Sequence, residues 1–128
     1  MTKQLTTDDL SDLFEAFNRH EVPAIMKYFA TDCVFDAIGG AEVHGTRFEG
    51  AAAIAKAFEA VWKAMPDAKW ANHSHFVHGD RAVSEWTFGG TNPDGTRIEA
   101  QGADLFRIRD GLIVHKQAFR KNRPPLAV

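Results

Sequence analysis

Three turn signals divide the chain beyond Pro66 into four extended segments. The turns are Gly79-Asp80, Asn92–Gly95 and Asp110-Gly111, and glycine in such positions is typical of hairpin connections. The strands expected between them cover residues 69–78, 82–88, 97–109 and 112–120. Consecutive hairpins form an antiparallel meander, so this half of the chain is predicted to build one sheet.

The third of these strands carries an unusual acidic residue. Asp104 shares one strand face with Gly102, Phe106 and Ile108, whereas the arginines of the segment lie on the other face. Burying an unpaired carboxylate is very costly, so a carboxyl group on an inner sheet face must be hydrogen-bonded, neutralised or functional. Asp104 is therefore the first candidate functional residue.

Helical periodicity dominates the first half of the chain. Apolar residues recur at helical spacing in three segments, over residues 10–17, 22–29 and 54–65, and two short strands are expected at 33–38 and 43–48. Helices that precede a long antiparallel sheet indicate an α+β fold in which they cover one sheet face. We expect a conical barrel, formed by a strongly curved antiparallel sheet and three N-terminal helices that enclose an apolar pocket.

Composition limits the classes of protein to consider. With 128 residues, 45% of them hydrophobic, the chain fits a single domain over residues 1–128, with a core at about 8–121 and a loosely attached tail at 122–128. A formal net charge of -2 favours binding neither to nucleic acid nor to membranes. No signal peptide or membrane-spanning run is recognisable, so we expect a cytoplasmic protein.

The order of elements and three short motifs resemble the nuclear-transport-factor-2-like superfamily, and within it the SnoaL-like polyketide cyclases and the ketosteroid isomerases. The motifs are Phe29–Asp32, Gly45–Gly50 and Asp104–Arg107. The resemblance implies a conical, cystatin-like α+β domain with a central apolar pocket, usually in a homodimer. It implies either a cofactor-independent isomerase, cyclase or dehydratase, or a non-catalytic binding module, because the fold serves both.

Only one catalytic position of these relatives is matched. Asp104 stands where the isomerases hold a protonated acid that donates a hydrogen bond to a developing oxyanion. Ala37 stands where their base would be, and Leu13 where their oxyanion-binding tyrosine would be. The last strand has no acid at Gln117–Arg120, where the SnoaL cyclases use one.

A different residue must then supply the base. His73, His75 and His115 are the candidates, because imidazole titrates near neutral pH. His73 and His75 could also share a metal ion, but no third ligand follows at a motif-like spacing, and we expect no metal site. Other residues expected at the pocket, as binding residues for a small apolar ligand, are Phe14, Phe17, Phe58, Glu85 and Phe106.

Which face of the strand over residues 82–88 is turned inward decides the role of Glu85. Alternation allows Glu85 to face the pocket or the solvent. If it faces the pocket, Trp86 and Phe88 face outward and need a partner surface to cover them. With Trp70 they supply more aromatic area than one layer of helices needs, and we expect a homodimer through the outer sheet face. Between the two functions, an enzyme acting on a small apolar carbonyl compound is favoured over a binding or association domain. A second ionisable group within reach of Asp104 would distinguish them.

Overall fold

The computed structural model describes residues 4–127, so residues 1–3 and 128 of the expected domain lie outside the described residues. The helices are α1 (Thr7–Asn18), α2 (Val22–Met26) and α3 (Ala51–Ala64). The strands are β1 (Phe29–Asp36), β2 (Arg47–Glu49), β3 (Lys69–His78), β4 (Arg81–Thr91), β5 (Arg97–Arg109) and β6 (Leu112–Arg120). Within residues 4–127, none of the helices has the length and apolar character that crossing a membrane requires.

All six strands belong to one sheet in the order β2-β1-β6-β5-β4-β3. Strands β3 to β6 form the expected antiparallel meander, and β1 returns to pair with β6 in parallel. The α+β prediction is confirmed. The sheet does not close on itself, because β2 and β3 are its edges, and the enclosure is completed by helices packed on its inner face.

Local sequence explains the two long helices. Helix α1 begins at a capping box, in which the Asp9 amide donates to the Thr6 hydroxyl and the Thr6 amide donates to the Asp9 carboxylate. Its apolar stripe, which includes Phe14 and Phe17, is buried. Helix α3 follows Gly50, whose φ of 88° favours glycine, and buries Ile54, Phe58 and Trp62.

Two of the short elements differ from the prediction. The second helix ends at Met26, and Phe29 opens β1, where it pairs with Ile113 of β6 and is buried. Between 43 and 48 only the last two residues are extended, at the start of β2. The exposed tail is tied to the sheet, because Leu126 and Arg97 exchange two backbone hydrogen bonds of 2.7 and 2.9 Å.

The registers of β3 and β4 place their large aromatic side chains inside. Trp86 and Phe88 are 5% and 3% exposed, and together with Trp70 they face the helices. The expectation that these three side chains lie on the outer face is therefore wrong. The physical reason is packing, because α1 and α3 supply apolar cover that the outer face lacks.

Candidate active site

An apolar cavity of about 420 Å³ lies between α1, α3 and the inner face of the sheet. Its aromatic wall includes Phe14, Phe17, Phe35, Phe58, Trp70 and Trp86. Among the described residues, the charged groups at the wall are Asp104, Lys116 and Arg120. A mostly apolar pocket with a few converging polar groups is typical of small-molecule sites.

Asp104 lies at the wall of this cavity and is 0% exposed. Lys116 Nζ donates a hydrogen bond of 2.8 Å to Asp104 Oδ1, and Trp86 Nε1 donates one of 3.0 Å to Asp104 Oδ2. Both oxygens therefore accept hydrogen bonds. This differs from the donating acid that the resemblance implies for the position.

Strand register brings both donors to Asp104. Asp104 lies opposite Ser84 of β4 and Ala118 of β6, so Trp86 and Lys116 are its diagonal neighbours on the same face. Gly102 pairs with Trp86, and an added Cβ at Gly102 would collide with the indole ring. The glycine thus leaves the room that lets the indole N–H reach Asp104.

Lys116 is the functional candidate that the sequence analysis missed. Its side chain is only 7% exposed, and Nζ lies 4.8, 5.7 and 5.9 Å from the ring centroids of Phe35, Phe17 and Phe58. Such rings attract an ammonium group through their electron-rich faces. Lys116 is thus a second ionisable group within hydrogen-bond reach of Asp104. The choice between an enzyme and a binding domain depends on such a group.

The phenylalanines expected at the pocket divide into two groups. Phe14, Phe17 and Phe58 are at the cavity wall. Phe106 shares the inner face of β5 with Asp104 but is packed in the core, with 1% exposure, and does not line the cavity. Glu85 lies on the outer face and is exposed, because β4 turns Ser84 and Trp86 inward.

His73 and His75 form a hydrogen-bonded chain beside the cavity. Glu15 Oε1 lies 2.9 Å from His73 Nε2, His73 Nδ1 lies 2.8 Å from His75 Nε2, and His75 Nδ1 lies 2.7 Å from Ser84 Oγ. Burial, helped by the neighbouring His73, lowers the pKa of His75 to about 4. The centroid of the Phe14 ring lies 5.6 Å from that of His73 and 5.2 Å from that of His75. Neither imidazole lines the cavity, and the hydrogen bonds to Asp104 come from Trp86 and Lys116.

His115 is on the opposite face of the sheet from Asp104. Its Nε2 lies 2.7 Å from Asp36 Oδ2, while Arg47 donates hydrogen bonds of 2.7 and 3.0 Å to the same carboxylate. Chiefly because of the Arg47 hydrogen bonds, the pKa of Asp36 falls to about 2. Ala37, one residue further on, lines the cavity, so the position to which the resemblance assigns the base presents a methyl group there.

Metal coordination has no matching arrangement in the part of the chain that the structure describes. No three histidine, cysteine or acidic side chains converge on a common point among residues 4–127. The imidazoles of His73 and His75 instead form hydrogen bonds with each other, and with the side chains of Glu15 and Ser84 respectively.

Comparisons with known proteins identify the kind of domain. Residues 10–116 match the family model of the SnoaL-like domain. No curated protein matches the chain. Among solved structures, a provisionally assigned polyketide cyclase from Pseudomonas putida KT2440 is 20% identical with a TM-score of 0.81, covering 93% of each chain.

Two further structures share this architecture. A protein of unknown function with a cystatin-like fold from Xanthomonas campestris is 18% identical, with a TM-score of 0.80, over 93% of this chain and 92% of its own. TerC, co-crystallised with polyporic acid, is 20% identical, with a TM-score of 0.72, over 88% of both chains. At these identities the likeness shows a shared fold.

Proposed function

Because the chain belongs to the SnoaL-like domain family, we propose that it is a cofactor-independent enzyme of the isomerase, cyclase or dehydratase type. Its substrate is a small carbonyl compound, largely apolar, that binds in the cavity. The observation that carries this proposal is the ion pair of Asp104 and Lys116, whose 2.8 Å contact lies at a mostly apolar wall.

Lys116 is the group that stabilises the oxyanion in this proposal. Enolisation moves negative charge onto the carbonyl oxygen, and a fixed ammonium group next to that oxygen lowers the energy of the transition state. The aromatic rings and Asp104 hold the ammonium in place, so little reorganisation is needed when the charge develops.

Asp104 is the base in the same scheme. Among the described residues it is the carboxylate at the cavity wall, and a carboxylate retains lone pairs beyond those that accept from Trp86 and Lys116. It takes the proton from the carbon next to the carbonyl, while Lys116 binds the oxygen. This assigns to Asp104 the step for which Ala37 has no functional group.

The expected histidines have a weaker geometric basis for this step. His73 and His75 are separated from the cavity by Phe14, and His115 is on the other sheet face. Their imidazoles would need a rearranged strand or side chain to reach a substrate carbon beside Lys116. The Asp104 carboxylate is already at the cavity wall.

Exchange of carbon-bound protons tests whether the cavity is catalytic. Acetylnaphthalene, a neutral enolisable ketone, is incubated with the protein in deuterium oxide, and proton NMR follows the loss of its methyl signal. We expect exchange above the buffer rate, slowed about 10²- to 10⁴-fold by Asp104→Asn. Glu59→Gln, which changes an exposed carboxylate on α3, is the matched control and should exchange at the wild-type rate.

The alternative is a binding module with the same fold. It would bind acetylnaphthalene with no exchange above buffer, and extension to other enolisable and epoxide compounds would likewise give no turnover. Binding without turnover across such a panel would assign the cavity to ligand capture and leave Asp104 as an orienting group.

We also propose that the chain forms a homodimer through the outer face of the sheet. Phe76 and Phe119 are 57% and 54% exposed on that face. Phe76 pairs with Val83 and Val83 with Leu105, while Phe119, which pairs with Ala103, is the diagonal neighbour of Leu105. On β4 this apolar band is bordered by Glu85 at one side and Arg81 at the other. A second copy related by a two-fold axis would oppose Glu85 to Arg81, which favours self-association over binding of an unlike partner.

A further inference from the structure

Arg120 is a cation at the cavity wall that the proposed chemistry does not use. It is the last residue of β6 and shares the inner face with Lys116 and Ala118. Its guanidinium stacks over the Phe88 ring, 5.1 Å from the centroid. This stacking fixes the group at the cavity rather than leaving it free in solvent.

No carboxylate among residues 4–127 forms an ion pair with Arg120, in contrast to Lys116. Burial lowers the pKa of Arg120, with no neighbouring acid acting in the other direction. Partial removal of a cation from water without a counter-charge is unfavourable. Since Asp104 and Lys116 neutralise each other, the wall retains the positive charge of Arg120.

The two cations lie at different depths along one strand. Four residues separate them, which corresponds to about 13 Å of extended backbone. Lys116 is 6% exposed at the inner part of the cavity, whereas Arg120 is only partly buried and also lines a second depression that includes Ala37 and Ile38. A ligand that contacts both cations must therefore be elongated.

We propose that the substrate is an elongated, planar ketone with one acidic group, a carboxylate or a phenolate, that pairs with Arg120 while its carbonyl oxygen binds Lys116. This rests on the proposed function and names the substrate class for that site. Phe88 under the guanidinium and the surrounding aromatic wall fit a flat apolar body. The charge on Arg120 fits the acidic end, because guanidinium binds carboxylates in a two-pronged geometry.

Three matched probes test the proposal by calorimetry, independently of turnover. They are acetylnaphthalene, acetylnaphthoic acid and the methyl ester of that acid, which resembles the acid in shape but has no charge. We expect the acid to bind at least about tenfold more tightly than the ester, as a charge-assisted hydrogen bond at a partly dry site predicts. The preference should shrink as salt concentration rises.

Variants assign the preference to a residue. Arg120→Gln should bring the affinities for acid and ester together, and Arg120→Lys should restore part of the difference. Arg109→Gln, which alters an arginine paired with Asp32 away from the cavity, should keep the full preference. Equal binding of acid and ester by the wild type, or a preference that survives Arg120→Gln, would overturn the proposal.

Failure here is distinguishable from failure of the proposed function. A protein that prefers the acid but exchanges no carbon-bound protons has the anion site without the chemistry. A protein that exchanges protons of acetylnaphthalene but binds acid and ester equally has the chemistry without the anion site.

Discussion

At the scale of single residues, the contact between Asp104 and Lys116 explains how a lysine can occupy a buried strand position. An ammonium group loses its hydration on burial, and a carboxylate with well-placed hydrogen bonds offsets that loss. Removing one partner alone leaves the other charge buried and costs about 3–5 kcal/mol. Removing both charges together should cost less, which makes the double variant the better folded reference.

Sequence reasoning found one half of this pair. Asp104 was identifiable because a lone acid stood in an otherwise apolar face. Lys116 was not, because it lies on the face of β6 opposite to His115 and Gln117, and which of these faces Asp104 shares depends on the register between β5 and β6. The Asp110-Gly111 turn alone would set Asp104 opposite Gln117. The register shift between Arg107 and Ile108 instead sets Asp104 opposite Ala118 and Lys116 on the diagonal, and no turn signal reports that shift.

A residue-scale prediction concerns the pH dependence of folding. The pKa of His75 is about 4 in the folded protein against an ordinary 6.5, so between these values the unfolded chain binds a proton that the folded chain does not. The stability from this group is therefore complete above pH 6.5 and is lost as pH drops towards 4. Asp36 acts in the same direction at lower pH, because its pKa falls from the ordinary 3.8 to about 2 in the folded protein.

Urea unfolding at a series of pH values checks this prediction. His75→Gln should flatten the dependence between pH 6.5 and 4, whatever its effect on stability at neutral pH. His78→Gln changes an exposed histidine of the same strand and should leave the slope intact. An unchanged slope in His75→Gln would contradict the prediction.

At the scale of elements, strand register determines what each side chain can do. Alternation alone could not decide which face of β4 is inside, because both faces are plausible core patterns. One face carries Ser84, Trp86 and Phe88, and the other includes Glu85. The outcome depends on long-range packing against α1 and α3. It also depends on the irregularity between Ala71 and Ser74, where Asn72 has a φ of 54°.

The outer face leads to a prediction at this scale. Sedimentation equilibrium at micromolar concentration should give twice the 14.2 kDa mass of the chain. Glu85→Lys should shift the protein towards monomer, because it places like charges opposite each other, and adding Arg81→Glu should restore the dimer. Glu15→Lys, at an exposed position on α1, is the control. A wild type that remains at 14.2 kDa contradicts the proposed dimer.

At the scale of the whole molecule, the fold was more predictable than the chemistry. Turn glycines, helical periodicity and the order of elements determine an α+β architecture with few alternatives, and these signals are local. The chemistry depends on contacts such as those from Asp104 to Trp86 and Lys116, between residues on different strands. The parallel pairing of β1 with β6 is likewise non-local, and no turn signal reports it.

The enclosure also follows from the whole arrangement. An open curved sheet covered on one face by α1 and α3 leaves a cavity of about 420 Å³, large enough for a ligand of a few rings. Its charged groups all come from β5 and β6. The account therefore depends on whether this apolar enclosure makes the Asp104–Lys116 pair a proton-transfer device.

The most direct test is the rate of deuterium exchange into acetylnaphthalene for the wild type, Asp104→Asn, Lys116→Met and the double variant. If the pair acts as a unit, each single variant loses about 10²- to 10⁴-fold and the double variant is no worse than the slower single one. Circular dichroism and ligand binding establish that each variant is folded. Exchange by folded Asp104→Asn at the wild-type rate would contradict the account.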